Sequence, residues 1–209
     1  VLGRDRAGAA SFEEDTTKLM SIISSQAGAV LRSAALYEQS VEQRVLEMSA
    51  LYELSRKVRT ARSLSDALNG ILDIVASVVW SDVAEIHTID FDSRTITRQA
   101  HRGDKHGQDT VSFDDKTIAT WVLNERKPIL ITDVRLDKRF SDYIPVDAPF
   151  KALMAIPIYF GDEILAVLIV EASVSGVYNE DNVKMLSLIA TQAASLFRDM
   201  ESLRELTTY

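Results

Sequence analysis

Few residues in this chain could do chemistry, and their spacing limits what that chemistry could be. Three histidines, His87, His101 and His106, are the candidate ligands and bases. His87 alternates with Glu85, Ile89 and Phe91 in a run of period two, which turns it toward the inner face of a strand. His101 and His106 fall at a strand end and in a polar loop, where solvated side chains belong. The carboxylates Asp133, Asp137 and Asp142 crowd one irregular stretch. An acid–base pair or a metal centre needs groups that converge, and no His/Asp/Glu spacing provides convergence here. The chain has no cysteine, which rules out disulfides, thiolate metal sites, cysteine nucleophiles and thioether-linked cofactors. On these residues we expect no catalytic site, no metal site and no enzyme.

The elements that must position these residues begin with one long segment. From about Phe12 to Arg62 there is no proline and a single glycine, Gly28. An apolar stripe of helical spacing runs through Leu19, Ala27, Val30, Ala34, Tyr37, Val41, Val45, Met48, Leu51, Leu54 and Val58. As one helix it would be roughly 75 Å long, too long for a compact domain to cover, so a second copy of the chain should cover it. Ser11 with Glu14 forms a capping box at its start, and Ser63 to Asp66 offers a fresh one where it should end. Two steps of three in succession, Met48–Leu51–Leu54, interrupt the seam and locally alter its winding.

The remainder reads as one domain. A helix of about Leu64–Trp80 has a broad apolar face suited to a sheet. Val83–Phe91 and Arg94–His101 form a hairpin around Asp92-Ser93, and Thr110–Phe113 is a short strand. Asp114 or Asp115 should cap a helix Thr117–Asn124, followed by a strand Pro128–Thr132. Asp133–Phe150 has no clear period, and loops of that length are usually functional. Lys151–Phe160 and Glu163–Glu171 are near-continuous apolar strands, expected to be covered on both faces. Asn179 caps a last helix of about Glu180–Leu206, whose stripe includes Ile189 and Leu196. The whole is an α+β fold: a central antiparallel sheet of about six strands with helices on both sides.

Composition bounds the function. Apolar content of 46% and charged content of 26% are ordinary for a soluble globular protein. A net charge of −8 without a Lys/Arg cluster argues against nucleic acid or an anionic membrane as partner. The longest apolar run, Ile164–Val170, cannot cross a bilayer and no signal peptide is visible, so a cytoplasmic location with no membrane insertion is expected. The chain starts with Val, as a fragment of something longer would. Residues 12–37 also repeat residues 178–203 at a fixed offset: Glu14, Asp15 and Lys18 fall on Glu180, Asp181 and Lys184, and Gln26 and Arg32 on Gln192 and Arg198. Residues 1–11 then read as the end of a preceding domain of the same type, 12–62 as a signalling helix, and 50–207 as the domain itself.

Over about Leu51–Leu206 the chain resembles the GAF domain family, small-molecule-sensing modules of signalling proteins. The carriers are Trp121-Val122, Lys127-Pro128-Ile129-Leu130-Ile131-Thr132-Asp133, Asp137-Lys138-Arg139-Phe140, Ala152–Ile158, Gly161–Val170 and Tyr178–Gln192. Ala152 departs from the pattern, since many members place a serine there. The resemblance implies a sheet-and-helix sensor in a tandem array, linked to an upstream GAF-like domain and a downstream output domain such as a kinase, cyclase or transcriptional activator.

It also implies where a ligand would sit: between the sheet and the 110–150 segment, lined by His87, Trp121, Phe140, Tyr143 and Met154. No cofactor is named. Some members bind haem through a pocket histidine, a role conceivable for His87 but disfavoured against a hydrogen-bonded core or surface histidine. A covalent bilin is impossible without cysteine, although Asp142-Tyr143-Ile144-Pro145 superficially resembles the stretch that accompanies one. Cyclic-nucleotide binders carry a signature whose letters Asn124, Lys127, Phe140, Glu180 and Asp181 supply without its order. Reduction of methionine sulfoxide, which relatives perform, needs cysteine. The expectation is a non-catalytic sensory module that binds a small molecule, or a ligand-free dimerisation and relay module. Either way a parallel homodimer would pair through Val30, Tyr37, Val41, Met48, Leu51, Leu54, Ile189 and Leu196.

Overall fold

A computed structural model of the chain describes residues 20–21, 24–38, 41, 44–45, 48–50, 52–53, 56, 63–105 and 107–207, with side chains through 195. The expectations for residues 1–11, the start of the long helix, Leu51, Leu54, His106 and the Leu196 side chain lie outside these. The chain forms two units, Val1–Leu46 and Glu47–Tyr209. In the first, residues 24–38 are helical (α1) and leave Val30 and Tyr37 exposed.

The second unit is built on a six-stranded sheet. Its strands are β1 (Val83–Asp90), β2 (Thr95–Arg102), β3 (Thr110–Ser112), β4 (Ile129–Ile131), β5 (Ala152–Phe160) and β6 (Glu163–Ala172), in the order β3-β2-β1-β6-β5-β4. Every neighbouring pair is antiparallel. This is the expected α+β architecture.

Alternation along the strands divides the side chains into two cores, one on each face. On the first face Ala84, Ile86, Met154, Ile156, Leu168 and Val170 meet two helices, α2 (Leu64–Val78) and α4 (Glu180–Thr207). The Ser63 hydroxyl caps α2 by accepting from the Asp66 N–H at 3.1 Å, as its capping box predicts. Asn179 Oδ1 opens α4 by accepting from the N–H groups of Asp181 and Asn182. On the second face Ile96, Leu153, Ala155, Val167 and Ile169 meet α3 (Ile118–Glu125), the inner side chains of β4, and the segment 132–150. β6 is buried along nearly its whole length, as a strand covered on both faces must be.

Several expectations are corrected here. Ile189 is fully buried against the sheet in its own domain, so the α4 stripe is core at that point and no interface seam. The cap of α3 is Thr117, in a full capping box with Thr120, because its hydroxyl reaches the Thr120 N–H at 3.2 Å; Asp115 serves instead by accepting at its carbonyl from the Thr120 hydroxyl. The β1–β2 connection is the four residues 91–94, closed by the Asp90 carboxylate accepting from the N–H groups of Asp92 and Ser93, with Arg94 in the left-handed region at φ 54°. Segment 132–150 contains one tight 3-10 turn, Lys138–Phe140.

Candidate functional site

The second face carries what the first lacks: charged side chains buried beside an apolar core. Glu85 and His87 point there from β1, on the same side as Ile89 and opposite to Ala84 and Ile86. Glu171 points there from β6, following Val167 and Ile169 in the same alternation. Arg98 reaches the same place through a β-bulge. Ile86 pairs with Ala100 and His87 with Arg98, so Gln99 is an extra residue in β2. The bulge lets Ala100 face the helices while Arg98 faces the second side, the kind of re-aiming bulges supply beside functional sites.

The charges are tightly arranged. Glu85 Oε2 lies 2.8 Å from His87 Nε2, and Glu85 Oε1 lies 2.9 Å from Arg98 Nε. Arg98, its side chain only 3% exposed, also donates from Nη1 to Asp109 Oδ1 at 2.9 Å, which carries the network out to solvent. The Glu85 Oε1–Arg98 Nε contact is an ion pair without hydrogen-bond alignment. Glu171 lies beside this pair. It is 9% exposed, its Oε2 is buried without a hydrogen-bond partner, and burial, then the nearby Glu85 carboxylate, push it up to about 8 against the pull of Arg98. The Tyr178 hydroxyl, also buried without a partner, is raised well above the usual tyrosine range by burial and by Asp82 and Glu171.

Beside this network lies the apolar half of the face. Trp121 on α3 and Phe140 at the end of the 3-10 turn meet edge to face, with ring centroids 5.1 Å apart, an arrangement worth about 0.5–1.5 kcal/mol beyond burial. Tyr143, Ile144 and Phe150 pack against the same core. Backbone N–H groups of Tyr143 and Ile144 both donate to the Phe140 carbonyl, at 2.9 and 3.0 Å, which folds the segment down onto the sheet.

The five residues expected to line a ligand site therefore separate. His87, Trp121, Phe140 and Tyr143 share the second face. Met154 does not; it is fully buried on the first face, because its position in β5 alternates with Leu153 and Ala155. Ala152 is on that first face too, so a serine's hydroxyl missing there takes nothing from the second face. His87 presents Nε2 to Glu85, the hydrogen-bonded core histidine rather than an available haem ligand. The cyclic-nucleotide letters do not converge: Phe140 is buried on the second face, while Glu180 and Asp181 open α4 on the first. Glu85 was already legible as a partner in phase with His87. Glu171 had a signal as well, a carboxylate ending the apolar run Ile164–Val170. Arg98 had none, since its orientation depends on the bulge.

The loop carboxylates are occupied locally. Asp133 accepts from Arg135 at Nη2 (2.5 Å) and Nε (3.0 Å), and these bonds hold its pKa down to about 2. Asp137 repeats the arrangement with Arg139, and Asp142 meets Lys116 at 3.1 Å. Among the described residues no three His, Asp or Glu side chains are grouped to hold a metal. At the opposite end of the sheet an open groove of about 610 Å³ is lined by Phe91, Arg126, Phe160, Asp162, Glu163 and Ile164. Arg126 is engaged there by the Asp162 carbonyl and the Tyr159 ring, so the groove holds no cluster of comparable chemistry.

A twisted antiparallel sheet with two helices behind it and a helix plus a long segment in front defines the class: an α+β domain of the GAF type. A sequence model of the family described as "GAF domain" matches residues 61–198, and the chain belongs to that family. Its fold is shared by the GAF domain of a phosphoenolpyruvate-protein phosphotransferase from Coxiella burnetii, 17% identical, with TM-score 0.67 over 77% of this chain and 98% of that one. The corresponding domain from Acinetobacter is 14% identical, with TM-score 0.66 over 76% and 97%. A free methionine-R-sulfoxide reductase from Neisseria meningitidis, solved with its substrate, is 11% identical, with TM-score 0.65 over 75% and 91%. No curated protein matches the chain. The reductase overturns the expectation that this is no enzyme: the same fold is an enzyme there, and further structures of this kind come from Staphylococcus aureus and Thermoplasma acidophilum. The fold therefore gives no ground for excluding catalysis.

Proposed function

We propose that this GAF domain is a regulatory module in a cytoplasmic signalling protein, that it takes a small molecule on the second face of its sheet, and that binding biases the packing of its terminal helices. The observation that carries the reading is the buried Glu85–His87–Arg98 network lying beside an apolar core on one sheet face. Burying such charges is costly, and an apolar sheet face would fold without them. A few fixed polar groups converging next to apolar walls is the usual composition of a small-molecule site. The Neisseria reductase was solved with its substrate, so the fold accommodates small molecules. In this reading two chains pair through the exposed stripe of α1, and linked upstream and downstream domains supply and receive the signal. The ligand acts only if it prefers one helix arrangement over another.

A thermal-shift screen of the chain against nucleotides, organic acids, amines and amino acids tests it. A saturating ligand at a hundred times its Kd should stabilise by about 2.7 kcal/mol, with the shift weakened in His87→Ala. A flat screen would favour a relay that works without ligand, whose support is the same exposed stripe.

A further inference from the structure

We propose that the Glu171 carboxyl, with Glu85 behind it, recognises a protonated amine carried by the small molecule of the second sheet face; this rests on the reading that a ligand binds there. Glu85 is hydrogen-bonded to His87 at 2.8 Å and ion-paired with Arg98 at 2.9 Å, although its Oε1 and the Arg98 Nε lack hydrogen-bond alignment. Arg98 is engaged by Glu85 and Asp109. Glu171 is nine-tenths buried on the same face, and its Oε2 meets no donor. Its neighbours along β6, Val167 and Ile169, are what this position would hold if only packing mattered. An unmet buried carboxyl oxygen is costly, and the cost is recovered when a donor arrives.

The charge of the surroundings decides what kind of donor. Near Glu171 are Glu85 from β1 and Arg98 from β2, with His87 beyond Glu85 at 2.8 Å from it; the Tyr178 hydroxyl and Asp82 are also close, although the Tyr178 ring packs in the first-face core. β5 offers the uncharged Leu153 opposite Glu171, and the covering segment brings Val134, Ile144 and Phe150 to the adjoining core. Glu85, Glu171 and Asp109 surround the Arg98 guanidinium, and the exposed Lys105 lies 3.6 Å from Asp109, so the ionised carboxylates outnumber the Arg and Lys cations of the cluster. An anion would meet Glu171 and Glu85 unfavourably. A divalent metal would want a third ligand grouped with them, and none is so placed among the described residues. A primary ammonium supplies both the charge and three donors.

Glu171 carries a proton at neutral pH, because burial and Glu85 push the group up to about 8. An incoming ammonium makes the ionised form the favoured one, so the carboxyl releases its proton as the amine binds. Binding should therefore tighten as pH rises from 6 to 8, with up to one proton released per ligand near pH 7 and fewer as pH passes 8, where free Glu171 is itself ionised.

The test uses the full chain with a panel of methylamine, ethanolamine, agmatine and L-lysine, against the uncharged ethylene glycol and acetamide and the anionic acetate and succinate. Ligand-observed NMR gives affinities, and calorimetry in two buffers of different ionisation enthalpy counts protons. We expect at least one amine to bind with proton release, and Glu171→Gln to weaken it at least tenfold while Asp181→Asn, at the exposed start of α4, does not. Equal amine binding by Glu171→Gln, or amine binding without proton release at pH 7, overturns the proposal. Binding of uncharged or anionic probes alone also overturns it, while leaving the sensory reading standing. If no probe of any charge binds, both fall. Should Glu171→Gln fail to fold, the proton count on the unmodified chain decides.

Discussion

Glu171 makes the stability of this domain pH-dependent in a direction opposite to that of most carboxylates. Its folded pKa, about 8, lies above the ordinary value of 4.5. Between those values the unfolded chain gives up the proton and the native one keeps it. Its contribution is therefore fully present below about pH 4.5, is lost as pH rises through about 8, and stays lost above that. Glu171→Gln removes the dependence, so urea denaturation should show the variant gaining on the natural chain from pH 5 to 8, by about 2–4 kcal/mol, with a constant difference beyond. Glu85 should behave differently. Glu85→Ala takes from the buried Arg98 one of its two carboxylate partners and from His87 its hydrogen-bond partner, and should cost about 3 kcal/mol. Asp109→Asn removes the network's solvent end, where Asp109 is 61% exposed, and should cost under about 1 kcal/mol. A comparison of urea midpoints separates the two.

Elements are pinned by a few local devices whose loss should be felt at a distance. Gly103 leaves β2 at φ +86°, and a Cβ there would stand 2.1 Å from the Asp82 carbonyl oxygen, immediately before β1. Gly103→Ala forces the end of β2 away from the start of β1, and with them the strands that carry Glu85 and Arg98. It should cost more than about 1 kcal/mol by thermal unfolding. Thr117→Ala opens the capping box of α3 and should cost about 1 kcal/mol, loosening the helix that holds Trp121 against Phe140. The strands and helices themselves were legible, since period two and period 3.6 are written in the apolar residues. The bulge at Gln99 was not, because a one-residue slip leaves no mark on a half-polar strand such as Thr95–Arg102. That is why the sequence does not mark the orientation of Arg98, while the period of β1 marks those of Glu85 and His87.

At the scale of the whole molecule, the two apolar stripes once read alike have different fates. That of α4 is spent inside the domain, with Ile189 and Ala193 fully buried. In α1, Val30 is 67% exposed and Tyr37 71%, and we propose that a second chain packs on that stripe. Sedimentation at micromolar concentration should find a dimer, and Tyr37→Glu, or a charge at Leu51 or Leu54, should shift it to monomer. A monomeric natural chain would sink the pairing.

By itself the sequence determined the family and the order of elements, because hydrophobic period and capping residues act within a few positions along the chain. It also determined that no cysteine chemistry is open to this protein. Only the tertiary structure decided which face each side chain serves. Met154 and Leu153 are adjacent in sequence yet lie on opposite sides of the sheet. Glu85, Arg98 and Glu171, far apart along the chain, meet on one face because β1 pairs with both β2 and β6. Strand register sets that encounter, and it is fixed by the packing of both cores at once.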